Sequence, residues 1–477
     1  MKRRQVLRQL GLGFTAGVAL PTLLSSCAKD DPGPEVPFDG SVAIIGAGAA
    51  GLLAGDILRS KGVQFTIYEA ANQIGGRIRS LRNQNDLSKL SVADFPIELG
   101  AELVYGSDSL WAREISNLKV PTVDVSATAV DRYILDNIAK TATDWGGDVE
   151  FSGAQNFVNG LNGFSGTGTV EQAIAGFSDR ARQLINSQVG NLYGTDNASL
   201  GAAALGEQLA LRAHDNKLLT LQTNPMQDFL ISRFSEVQDQ VRLNTAIVSI
   251  NHQGDVIVLT DKDGNQYEAQ KVIVTVPISI LKANKLSFTP ALPDSFNASL
   301  AKIGMDHCIR VLIDFKKNFW GETAGFLWGL KNAPYCFSNG IGRSEFNQTL
   351  SITIYGPKAV ELSALGADMI NEILGELDLV YNGQATQFVR RDLVNDQLIA
   401  IIFDWGKEEY IAGGFSYPRA GSSNTDRINI GQPINGKIFF AGEATDVTGD
   451  AGTINGALAS AIRATDELVE SILNPVS

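Results

Sequence analysis

Gly46, Gly48 and Gly51 stand in the pattern GxGxxG within VAIIGAGAAGLLAGDIL, and Glu69 follows at roughly the 20-residue distance that a ribose-binding acid takes. Glycines so spaced serve phosphate binding. The first makes a tight turn, the second lets backbone approach a pyrophosphate, and the third lets helix pack on strand. The helix N-terminus then faces the phosphates with its unpaired N–H groups. Glu69 stands where it accepts a hydrogen bond from a ribose hydroxyl. These residues need a strand at 42–45, a helix over the Ala/Leu-rich run after Gly48, and a second strand at 64–68 that ends on Glu69. The whole unit predicts a dinucleotide site.

A second glycine pair, Gly75 and Gly76, lies in IGGRIRS, where backbone can again pass close to a cofactor and Arg77 can reach a pyrophosphate or a flavin. Near the other end, KIFFAGEAT predicts a strand running into Gly442 and Glu443. GTINGA then opens an amphipathic helix to Ile472, beginning at Thr453 and Ile454, whose first amides favour electron-rich atoms. Between these ends, the alternation at 256–259, the Asp263-Gly264 turn and the apolar run at 271–277 predict a β-meander with a return strand. Residues 111–238 predict mostly helix, with GAAALGEQLALRAHDNKLL the clearest stretch. Residues 289–430 mix strands at 309–315 and 350–355 with a helix at 359–377.

Taken in this order, the motifs resemble the flavin-containing amine oxidase family, which includes monoamine and polyamine oxidases and the lysine-specific histone demethylases. The resemblance covers most of residues 40–475. It implies an α/β protein, a Rossmann-like FAD-binding domain with an interleaved α+β substrate domain. FAD-binding segments are expected at 39–110, 239–288 and 431–474, and substrate-binding segments at 111–238 and 289–430. IELGAE, with Gly100 and Ala101, matches the family segment beside the flavin ring. Ile247, in RLNTAI, matches a position whose backbone touches the adenine end, and Glu443 matches the residue bonded to the ribityl-phosphate region. FAD contacts are likewise implied for both glycine turns, Glu69, Arg77, Gly442, Thr453 and Ile454. Trp405 and Phe415, in WGKEEYIAGGFSYPRAGSS, share the spacing of the demethylase branch, where the second ring faces the flavin.

The chain also departs from the family pattern. The lysine that the family places near flavin N5 falls on Arg310, within IGMDHCIRV. Arginine is planar and always charged, whereas burial can neutralise lysine, so the exchange is not conservative. Arg310 is expected to position a water or an anionic substrate group, or to form an ion pair with Asp306 or Asp314. Thr453 falls where amine and polyamine oxidases carry the second ring of an aromatic cage, which leaves Phe415 as half of one.

The resemblance implies non-covalent FAD, since no cysteine lies near the C-terminal motif and Cys308 and Cys336 are the sole candidates for a thioether. It implies hydride transfer from an amine or amino acid to flavin N5, giving an imine, with oxygen or another acceptor reoxidising the flavin. Arg310, Trp405 and Phe415 would shape the reacting face. The alternatives are a flavin desaturase or alcohol oxidase on the same fold, or a surface binding protein that keeps FAD without turnover.

Composition narrows the partners. The 477 residues are 44% hydrophobic, enough for a large core, and carry a formal charge of −13, which disfavours nucleic acid. His214, His252 and His307 are scattered, with no spacing suited to a metal site. The start, KRRQVLR with a following apolar stretch and LSSC, resembles a twin-arginine export signal ending in a lipobox. That resemblance predicts a signal at 1–26, lipid on Cys27, a tether at 27–38, and a membrane-anchored periplasmic or cell-surface protein.

Overall fold

The computed structural model describes residues 35–81, 93–394 and 396–474. The expected export signal, Cys27 and most of the tether lie outside the described residues. The strand Ser41–Ile45 sends alternate side chains into two cores. Val42 and Ile44 meet Leu52 and Leu58 of the helix Ala49–Ser60 and Leu458 and Ala461 of the helix Ile454–Leu473. Ala43 and Ile45 meet Ile250, Ile257 and Leu259 of the meander. A strand covered on both faces needs an unbroken apolar run, which is what the sequence has there.

This strand is the centre of a five-stranded parallel sheet. Its order is Ile438–Phe440, Lys271–Val274, Ser41–Ile45, Gln64–Tyr68, Val241–Arg242. Segments from the start, middle and end of the chain therefore converge on one Rossmann-like unit, as expected. The meander strands Ile247–Asn251, Ile257–Asp261 and Gln266–Ala269 are antiparallel and cover one face.

A second, seven-stranded mixed sheet has the order Ala400–Asp404, Cys308–Asp314, Thr349–Tyr355, Tyr335–Ser338, Ala324–Trp328, Val130–Leu135, Ile138–Lys140. One face of it carries Ile309, Val311, Ile313, Ile352 and Ile354. These pack on the helices Gly356–Ala364 and Met369–Tyr381 through Leu362, Ile373 and Leu377. By the two-residue alternation of strands, Cys308 and Arg310 turn to the opposite face.

Two local expectations are corrected. The single helix expected at 359–377 is two helices, broken at Gly366, whose φ of +58° is left-handed backbone that glycine takes freely. The stretch GAAALGEQLALRAHDNKLL is helical only over Ala202–Leu211. Arg212 turns extended, and Leu218–Leu221 becomes a strand between Val104–Tyr105 and Thr122–Asp124.

Candidate active site

A cavity of about 960 Å³ lies between the two sheets. At one end the glycine turns form its wall. Gly46 has φ +108°, and its N–H donates to the Tyr68 carbonyl at 2.8 Å, closing the turn between the first two strands. A Cβ on Gly51 would come within 1.9 Å of the Gly46 oxygen, so the helix can approach the strand only through a glycine. Gly51 accordingly packs behind the cavity rather than lining it, whereas Gly46, Gly48, Gly75 and Gly76 line it. Gly48 has ordinary backbone angles, and a Cβ there would meet no atom nearer than the Gly75 oxygen at 4.0 Å. The space in front of it is a cradle that a side chain would fill. The helix Ala49–Ser60 begins there with no side-chain cap and no acid in its first turn, leaving its N–H groups free for an anion. This set fits a dinucleotide pyrophosphate.

Glu69 stands beside the cradle with its carboxylate oriented by two backbone donors, Ala47 N–H at 2.6 Å and Ala71 N–H at 2.9 Å. Burial raises its pKa, and those hydrogen bonds oppose the rise. It keeps lone pairs toward the cavity for a hydroxyl donor. Ile247 lines the same end.

Arg77 and Glu443 were expected to meet the cofactor separately. They meet each other, at 2.7 Å, and the same Glu443 oxygen accepts from Ser416 N–H while its partner oxygen accepts from Ser416 Oγ and Gly452 N–H. Burial pushes the Glu443 carboxyl up, but Arg77, Ser416 and Arg427 outweigh it and hold the group below its usual range. The carboxylate is thus the hub that ties the glycine turn at 75–77 to the C-terminal motif, and both residues line the cavity with Gly442 and Ile454. Thr453 caps the helix Ile454–Leu473, its Oγ1 accepting from Gly456 N–H at 3.2 Å.

The opposite wall is the second sheet. Arg310 directly opposes Thr353, and Thr353 opposes Tyr335, so the three share a face in one row across adjacent strands. Cys308 and Tyr355 make the next row. All five line the cavity. Arg310 does not pair with either expected aspartate: Asp314 holds Arg390 at 2.7 Å, and Asp306 accepts from Thr195 and Tyr417. Its Nη1 donates instead to Glu102 at 2.7 Å and to Ser351 Oγ, and its Nη2 donates to the Gly100 carbonyl at 2.7 Å. Burial opposes its charge, but Glu102 more than restores it, so the pKa is raised. Among the described residues, Arg310 Nε and Thr353 Oγ1 are buried without partners.

Aromatic groups complete this end. Trp405 is fixed by donation from its ring N–H to the Leu99 carbonyl at 2.8 Å, and its ring lies against Gly100. Phe415 presses on Gly452, whose φ of +85° and closeness to the ring leave no room for a Cβ. No ring stands at Thr453, and Phe415 instead meets Tyr355 of another element edge to face, with centroids 5.0 Å apart. Tyr105, Tyr193 and Tyr335 line the same chamber. None of these tyrosines was anticipated. The alternation around Arg310 marks one strand's cavity face, but finding Tyr335 required the register of two further strands. Cys308 lines the cavity as a neutral thiol, its pKa pushed by burial to about 12, and Cys336 is in the core behind the sheet.

A family model described as "Flavin containing amine oxidoreductase" matches residues 49–469. The chain is 24% identical to lysine-specific histone demethylase 2 of Homo sapiens over 90% of its length and 53% of the relative's. It is 23% identical to lysine-specific histone demethylase 1 homolog 3 of Arabidopsis thaliana, of which it spans 32%. It therefore spans about a third to a half of these demethylases. With polyamine oxidase 4 of Oryza sativa subsp. japonica the identity is 24%, over 96% of this chain and 93% of the relative. Among solved structures, cyclohexylamine oxidase from Brevibacterium oxydans matches with a TM-score of 0.74 at 19% identity, over 92% of this chain and all of that one. Wild-type putrescine oxidase bound to putrescine matches with a TM-score of 0.74 at 19% identity, over 90% and 99%.

Proposed function

Since the chain belongs to the flavin-containing amine oxidoreductase family, we propose that it is an FAD-dependent enzyme that oxidises an amine. The observation that carries this reading is the continuity of one cavity, from the open backbone cradle at Gly48 to the chamber of Phe415, Tyr355 and Arg310. The cradle takes the pyrophosphate on Gly48 and the free amides of the helix Ala49–Ser60, and Glu69 takes a ribose hydroxyl. Arg77 and Glu443 brace the middle of the cofactor's bed. When bound, FAD supplies the two-electron acceptor for a hydride from the carbon bearing nitrogen, leaving an imine that water hydrolyses.

The chain's own work is orientation and exclusion of water. Trp405, Phe415 and Tyr355 supply apolar ring faces that order an amine and repel bulk solvent, while the clamp on Arg310 keeps its charge in place. FAD is held without a covalent bond, in keeping with the neutral Cys308 thiol, which is not a nucleophile. Acid precipitation should release the yellow chromophore to the supernatant. Anaerobic addition of a panel of amines should bleach the flavin, and air should restore it. A flavin that light reduces but no amine does would overturn the reading.

We further propose the division of labour expected above, with 39–110, 239–288 and 431–474 binding FAD and 111–238 and 289–430 binding substrate. Export by a twin-arginine signal and anchoring through Cys27 rest on the motif at residues 1–27. Among the described residues no helix is long and apolar enough to cross a membrane.

A further inference from the structure

Three charged groups at the substrate end of the cavity, Glu102, Arg212 and Glu408, already have partners. Glu102, the carboxylate bonded into the Arg310 row, accepts from Arg310 with one oxygen and from the Asn339 amide with the other. Arg212, which lines the chamber beside Tyr193, is 3.5 Å from Asp450 and donates to the Gly449 carbonyl. Glu408, near Trp405, is held by Arg79 at 2.8 Å. A second ammonium beside these groups would meet carboxylates that already hold a cation, and a substrate carboxylate would meet arginines that already hold an anion. Burying either without a partner is strongly unfavourable.

Apart from Arg310 Nε, the unmatched groups are neutral. Among the described residues nothing bonds the hydroxyls of Tyr335 or Tyr105, although both side chains line the cavity. Tyr335 is only 7% exposed and stands in the row with Arg310 and Thr353, whose Nε and Oγ1 also lack partners. Burial keeps both phenols protonated, with Tyr105 pushed to about 12. Hydroxyls of cavity-lining tyrosines that no protein group bonds are free to bond a ligand atom.

Resting on the amine oxidase reading, we infer that the chamber selects amines whose body is uncharged and carries a hydrogen-bonding oxygen, bonded by the Tyr105 and Tyr335 hydroxyls. The inference excludes diamines and amino acids as preferred substrates. It also reverses the expectation that Arg310 recruits an anionic substrate, because Glu102 has taken that charge.

The test uses the FAD-loaded protein and two matched pairs of probes: tyramine with phenethylamine, and 6-amino-1-hexanol with hexylamine. Putrescine and tyrosine stand for the dication and the zwitterion. Flavin bleaching is followed without oxygen, and binding of the α,α-dimethyl analogues of the aromatic pair, which lack the hydrogen to be transferred, is followed by calorimetry. The oxygen-bearing member of at least one pair should be favoured by about tenfold or more, since a site built to bond a hydroxyl rejects the analogue lacking it. In Tyr335→Phe or Tyr105→Phe, which keep the ring, that ratio should fall to within about twofold. Tyr381→Phe removes a buried hydroxyl that lies outside the cavity, and the ratio should survive it. Equal treatment of both pairs by the wild type, preference for putrescine or tyrosine, or a ratio that persists in both cavity variants overturns the inference and leaves amine oxidation standing. If light reduces the flavin but none of the amines does, the amine oxidase reading fails and takes the inference with it.

Discussion

Arg310 donates to Glu102 at 2.7 Å across 208 residues of chain, and both side chains are almost fully buried, at 6% and 2% exposure. The pair joins the wall formed by the second sheet to the segment that follows the glycine turns. An arginine at this place therefore acts first as half of a neutral clamp, with Ser351 Oγ and the Gly100 carbonyl also bonded by its Nη atoms. Lysine, a single point of charge, could not reach all three partners at once.

Breaking that clamp from either side should leave a buried charge unmatched. Arg310→Met and Glu102→Gln should each cost about 3 kcal/mol or more, and the double variant much less than their sum. Urea midpoints of the FAD-loaded proteins measure this, and additive losses would contradict the pairing. In Arg310→Lys, the rate of flavin reduction by amine should fall even where FAD content is retained. A wild-type rate would remove Arg310 from the reacting face.

Glu98 gives stability an unusual pH dependence. Burial raises its pKa to about 7, although Ser80 and the Met226 N–H bond it. A folded-state value above the unfolded one means that its contribution is fully present below the unfolded value, near 4.5, and is lost as pH rises through about 7. Glu98→Gln cannot ionise, so melting temperatures across pH 5–8 should show a smaller decline than the wild type. Parallel curves for the two proteins would refute the assignment.

The two glycines of the first turn should fail differently. Gly51→Ala places a Cβ 1.9 Å from the Gly46 oxygen and should prevent the fold from forming. Gly48→Val has room in the protein but fills the cradle, so it should give folded protein without FAD. Circular dichroism and the flavin absorbance of the purified variants separate the outcomes. A yellow Gly48→Val protein would mean that the pyrophosphate does not sit there.

Export should depend on residues that precede the described fold. Replacing Arg3 and Arg4 by lysine should trap unprocessed protein in the cytoplasm, because the export machinery reads the pair as an address. Cys27→Ser should release the protein from membranes. Fractionation and immunoblotting show both, and unaltered processing of the double lysine variant would point to the general secretory route.

Part of this site is legible from residue order alone. The turn at Gly46, the cradle at Gly48, the close packing at Gly51 and the acid at Glu69 are demands that backbone and pyrophosphate make within a single strand-turn-helix-strand unit, so spacing reveals them. Arg310 also stood out, as the one basic residue in a strand otherwise apolar up to Asp314. Its face of the strand follows from alternation.

What spacing could not supply was the partner of each charge. Asp306 and Asp314 are near Arg310 in sequence, yet Glu102 holds it. Asp314 is drawn off by Arg390, and the sheet wall closes on the segment at 100–102. Likewise Arg77 and Glu443, 366 residues apart, consume each other's charge. The Arg310–Thr353–Tyr335 row exists only because three strands pair in one register. Local backbone geometry is decided by neighbours within a turn, and the sequence determined it. Charge compensation and the tyrosine-lined chamber depend on which strands pair and how two sheets close over a cavity, and only the tertiary structure decided those.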